Sequence, residues 1–104
     1  MSSNSAAWIT EPKGNPLKVS SAPFPKPGPN DVVVKNHAVA VNPVDWKIQA
    51  SGLFVTKYPN VLGTDIAGEI VEVGAEVKDF KKGDRVLAYV LHIPIHYAPV
   101  MYQR

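Results

Sequence analysis

Between Val61 and Val86 the chain reads VLGTDIAGEIVEVGAEVKDFKKGDRV, a run in which glycines and charges punctuate short apolar segments. From Gly68 the alternation puts Ile70 and Glu72 on one face and Val71 and Val73 on the other, which predicts a strand ended by Gly74. Gly68 has no side chain to pack, so it marks a bulge or a close backbone approach. Lys81-Lys82-Gly83-Asp84 is a polar turn that feeds a second strand, Val86 to Leu91, with Gly83 supplying a backbone angle that other residues resist. The two strands are predicted to be near neighbours.

Upstream, Ala6 to Thr10 and Leu17 to Ser21 are strand candidates separated by Glu11-Pro12-Lys13-Gly14-Asn15-Pro16, and a hairpin is the simplest arrangement. Pro23 to Pro29 cannot join a central ladder because proline lacks the amide donor, so it is expected to run extended as a stiff surface connector. Asp31 to Val41 holds five valines and is the clearest strand. His37 inside it reads as a surface or hydrogen-bonded structural group. Asn42-Pro43 breaks the strand, Val44 to Ala50 predicts a helical turn, and Ser51-Gly52 ends it. Phe80 is assigned to the core, and Trp46 and Tyr58 to the core or to a cleft wall.

The last segment, Leu91 to Tyr102, prolongs the apolar run that starts at Val86, but falls short of the ~20 apolar residues of a membrane helix and contains Pro94 and Pro99. No membrane span is expected. His92 and His96 have metal-pair spacing, yet Pro94 lies between them and no third ligand is near, so a metal site there is not expected.

Composition narrows the function classes. A chain of 104 residues forms one domain at most and cannot hold both a barrel and a nucleotide-binding sheet of usual size. Eleven basic against nine acidic residues, without runs of one sign, leave a net charge of +2 and no nucleic-acid footprint. The chain has no cysteine, which excludes disulfides, thiolate nucleophiles and sulfur-ligated zinc. The N-terminus lacks the basic and apolar regions of a secretory signal, so the protein is expected to be soluble and cytoplasmic.

Three motifs occur in order: Ala40-Val41-Asn42-Pro43-Val44-Asp45-Trp46-Lys47, then Tyr58-Pro59-Asn60-Val61-Leu62-Gly63-Thr64-Asp65-Ile66-Ala67-Gly68-Glu69, then Lys82-Gly83-Asp84-Arg85-Val86. Over residues 6–90 the chain resembles the N-terminal GroES-like domain of medium-chain dehydrogenases and reductases. Within that superfamily it is most similar to zinc-independent quinone oxidoreductases and fungal trans-enoyl reductases, some of which carry an NPVDWK-like segment. The resemblance implies a mainly β fold, a partly open GroES-like β-barrel with one or two short helices, followed by a divergent tail over 91–104.

The same resemblance implies chemistry. Where zinc-dependent relatives carry a cysteine ligand this chain has Asn42, and where they carry Gly-His-Glu it has Gly63-Thr64-Asp65, so no zinc is expected. A zinc-free reductase polarises its substrate carbonyl with hydrogen-bond donors or a cation so that hydride can add to the conjugated carbon. Lys47 is the first choice as donor, to the carbonyl or to the cofactor, with Thr64 as a second catalytic candidate; Asn42 and Lys47 are the implied cofactor contacts. Asp45 is assigned to capping the helix.

The cofactor implied is NADPH and the substrate a small enoyl or quinone molecule. The family's Rossmann domain is missing, since no G-x-G-x-x-G or βαβ pattern is present, so the chain reads as truncated and inactive alone. A non-enzymatic single-barrel module binding a protein or an apolar ligand is the alternative. A GroES-type co-chaperone has a barrel of similar length, but the NPVDWK segment favours the reductase branch. Self-association through the exposed barrel face and the tail is expected.

Overall fold

A computed structural model describes residues 4–90 and the backbone of residues 101–103. Strand β1, Ser5–Ile9, turns back into β2, Lys18–Ser21, as an antiparallel hairpin, and pairs on its other side with the short β4, Asn60–Val61. A second sheet has the order β6-β5-β3-β7, from β3 (Val32–Val39), β5 (Asp65–Val73), β6 (Arg85–Tyr89) and β7 (Met101–Gln103). Its ladders are antiparallel except β3 with β7, which is parallel. The fold is mainly β, two sheets that do not close into a barrel, consistent with a GroES-like domain. Among the described residues there is one helix, α1, Pro43–Ser51.

The core follows from the pattern. Ile66, Gly68 and Ile70 point inward from β5, and Ile66 and Ile70 join Val34 and Val90 in one buried cluster covered by Val32, Val86 and Ala88. Two two-against-one irregularities interrupt the β3–β5 ladder, one placing Val71 between the partners of Val33 and Val34, the other placing His37 between the partners of Gly68 and Ala67. His37 is exposed there. Gly68 therefore combines both sequence expectations: it faces Asn36 beside the irregular position, and a Cβ on it would collide with the Lys35 carbonyl.

The proline-rich connector has no regular structure but is pinned where it meets the end of β5. Gly74 N–H donates to the Asp31 carbonyl at 2.7 Å and Glu76 N–H to the Pro29 carbonyl at 2.8 Å. Gly83 takes φ +97°, as the turn chemistry requires. Phe80 is not in the core as expected but 51% exposed, because the turn between β5 and β6 carries it away from either sheet face. Trp46, 58% exposed, is not core because α1 buries none of its residues, which leaves the cleft-wall alternative. The expectations for Leu91–Val100 lie outside the described residues.

Candidate functional site

The segment between β3 and β4 is built by local rules. Asn42 has extended backbone (φ −112°, ψ 159°) and forms the N-cap of α1, with Pro43 following it, where its missing N–H costs nothing. The Asp45 carboxylate accepts from the Asn42 N–H at 2.8 Å, so Asp45 caps the helix as its sequence position implies. At the other end Gly52 adopts φ +75° and donates to the Ile48 carbonyl at 2.8 Å.

β5 brings the second motif to the same place. The Ala40 N–H donates to the Asp65 carbonyl at 3.1 Å, which sets the chain leading into α1 beside the start of β5. The Asn42 side chain then donates through Nδ2 to Asp65 Oδ2 at 2.8 Å, and Thr64 Oγ1 lies 3.5 Å from Asp65 Oδ1. Asn42 and Thr64, 22 positions apart in the chain, thus meet on one carboxylate. Sequence reasoning singled out both and missed the residue between them. The Val90 N–H donates to the Thr64 carbonyl at 2.7 Å, so the end of β6 closes against the same segment.

Lys47 projects from the exposed surface of α1, its Nζ 5.7 Å from the centre of the Trp46 ring. That distance is within the range of a cation–π contact and leaves the ammonium donors available. The open groove bounded by Trp8, Lys18, Val19 and Pro59 lies along the β1–β2 hairpin, and none of Asn42, Lys47 and Thr64 lines it.

The donor set does not suit zinc. Asn42 and Thr64 offer no thiolate or imidazole, and among the described residues no three His, Cys, Asp or Glu side chains gather where they could hold a metal ion. A nucleotide pyrophosphate is not suited to the N-terminus of α1 either, because Pro43 lacks an N–H and Asp45 adds negative charge to the first turn. Lys47 is the group here that could reach an anionic or carbonyl oxygen.

Two strands and a capped helix converge on a carboxylate that gathers an asparagine and a threonine, with a lysine on the helix. The alcohol dehydrogenase GroES-like domain matches residues 28–99, and the chain belongs to that family. The dehydrogenase orsE of Emericella nidulans is 47% identical over 93 residues, 89% of this chain and 26% of that protein. The trans-enoyl reductase himH of Aspergillus japonicus is 43% identical over 86 residues, 83% of this chain and 25% of that protein. Among solved structures, the Escherichia coli quinone oxidoreductase complexed with NADPH superposes with a TM-score of 0.72 at 27% identity, over 86% of this chain and 28% of that one. The cobalt- and zinc-bound alcohol dehydrogenase of Pyrobaculum aerophilum gives 0.77 at 31% identity, over 86% of this chain and 27% of that one. The chain spans about a quarter of the length of the curated relatives it matches. No helix among the described residues is long and apolar enough to cross a membrane.

Proposed function

We infer that this domain is the substrate side of an NADPH-dependent, zinc-independent reductase of enoyl or quinone substrates. The observation that carries the reading is the exposed Lys47 on a capped helix fixed beside Asn42, Thr64 and Asp65, a set that offers hydrogen-bond donors and a cation where the metal-dependent branch would need metal ligands. NADPH, when bound, supplies the hydride. Lys47 Nζ donates to the substrate carbonyl oxygen and stabilises the negative charge that grows on it as the conjugated carbon is reduced. Thr64 Oγ1 lies 3.5 Å from the carboxylate that holds Asn42, and the Thr64 carbonyl holds the end of β6 in place. Since α1 is a poor anion site, the nucleotide phosphates are to be held by a separate nucleotide-binding domain, and the 104-residue chain by itself is expected to bind NADPH weakly and to lack reductase activity.

The test joins this chain to the nucleotide-binding domain of a trans-enoyl reductase relative. Lys47→Ala should lower kcat/KM on an enoyl substrate on the order of 10²-fold, the loss typical of one transition-state donor. An unchanged value would return Lys47 to the role of a solvated surface residue. A second reading, a non-enzymatic module that binds an apolar partner, is favoured by one observation, the exposure of Leu87 and Tyr89 on edge strand β6. A fusion that folds, binds NADPH and reduces neither enoyl nor quinone substrates would support that reading over the first.

A further inference from the structure

The helix that carries Lys47 is attached to the fold by polar bonds in place of apolar burial. None of its residues is buried, and Val44 and Trp46 are 46% and 58% exposed. Two side-chain hydrogen bonds tie it down. At its N-cap, Asn42 Nδ2 donates to Asp65 Oδ2 at 2.8 Å, reaching β5 in the four-stranded sheet. In its second half, Gln49 Nε2 donates to the Gly14 carbonyl at 2.8 Å, reaching the turn between β1 and β2 of the other sheet. Lys47 lies between these two tethers. With little apolar contact to resist it, a helix held this way shifts or frays when a tether is lost.

We propose that Asp65 is a positioning residue for Lys47, its carboxylate clamping the N-cap of α1 to β5 and so setting where the lysine ammonium stands. An ionised carboxylate only accepts hydrogen bonds, so it fixes the Asn42 amide with Nδ2 toward β5. A hydrogen bond to an ionised group is also about twice as strong as a neutral one. Asn42 is held at a second point, its backbone N–H donating to Asp45, so the clamp fixes the first turn of the helix and not a side chain alone. The backbone of Asp65 is itself anchored through the Ala40 N–H, which makes it a firm base for the clamp. Asn42 accordingly acts through the helix. The proposal rests on the reading of Lys47 as the carbonyl donor, for which a displacement of about 1 Å is enough to cost on the order of 10²-fold in rate.

Two measurements test it. In the 104-residue chain, NMR of Asp65→Ala should move the Asn42 side-chain amide pair toward the shifts of a solvated amide and speed hydrogen exchange of the α1 amides on the order of tenfold, while β3 and β5 keep their protection. Asp65→Asn, which keeps an acceptor oxygen but not the charge, should restore part of both. Should Asp65→Ala fail to fold, Asn42→Ala removes the clamp from the helix side and should give the same exchange pattern. In the fusion with a nucleotide-binding domain, Asp65→Ala should lower kcat/KM on the order of tenfold, and adding it to Lys47→Ala should cost nothing further. An unchanged Asn42 amide and unchanged α1 exchange would overturn the clamp whatever the activity shows. Additive losses in the double variant would show Asp65 acting apart from Lys47 and overturn the positioning role. Lys47→Ala without effect would remove the donor reading and the positioning role with it, while the exchange data would still decide whether the clamp holds the helix.

Discussion

Gly68 and Lys35 meet across the β3–β5 ladder with no room for a side chain between them: a Cβ on Gly68 would run into the Lys35 carbonyl. The obstacle is backbone held in the best-packed sheet, which cannot swing aside as a flexible side chain can. Gly68→Ala is therefore expected to destabilise the domain by roughly 1–3 kcal/mol, the usual cost of overpacking a filled site. Urea unfolding followed by circular dichroism measures it, and a midpoint equal to that of the parent chain would contradict the geometry.

The turn before β6 predicts a weak acid dependence. The Lys81 ammonium donates to Asp84 Oδ1 and the Lys81 N–H to Oδ2, each at 3.0 Å, and these bonds hold the Asp84 carboxyl below its ordinary value of 3.8. A carboxyl lowered in the folded state contributes stability above its unfolded value, and that contribution is lost as pH falls through the folded value. Lys81 is exposed and Asp84 half-buried, and the pair is open to salt, so its contribution is small. Asp84→Asn should make the chain's stability slightly less sensitive to acid below about pH 4, with the difference shrinking in high salt. Thermal melts of both chains between neutral and acid pH check this, and identical acid profiles at low salt would show that the bonds add nothing.

How far the fold is legible in the sequence depends on which residues carry it. The strands around Val32–Val39 and Asp65–Val73 announce themselves through β-branched density, and the limits of α1 through Asn42-Pro43 and Gly52, because these are local preferences. Phe80 misleads because an aromatic suggests a core, whereas its exposure depends on where a turn ends up relative to two sheets. The irregular positions Val71 and His37 have no local signature, since a two-against-one pairing exists only once the partner strand is in register. Asp65 escaped notice for the same reason. Its partner Asn42 lies 23 residues away, and no periodicity links the end of one loop to the start of a strand.

Asn42 and Thr64 offer neither sulfur nor imidazole, and Asp65 already engages the amide of one of them. The purified chain should carry zinc far below one equivalent after dialysis, and added zinc should not raise its melting temperature, because a resident structural ion would stabilise the fold strongly. One tightly held zinc per chain by elemental analysis would overturn the zinc-independent assignment and direct attention to the histidines.

Strand β6 forms an edge of the four-stranded sheet. Leu87 and Tyr89 are 86% and 66% exposed on one side of it, and Arg85 shares that side. An edge strand offers unpaired backbone donors and acceptors, and an apolar one invites a second copy to add to the sheet. Antiparallel addition centred on Leu87 would set Leu87 against Leu87 and Arg85 against Tyr89, a pairing that is the same from both copies. The 104-residue chain should therefore gain mass with concentration in light scattering, and Leu87→Lys should suppress the gain without changing the β signal in circular dichroism. A chain ending at Val90 measures the share of the tail separately: self-association lost there but kept in Leu87→Lys would move the contact from β6 to the last residues.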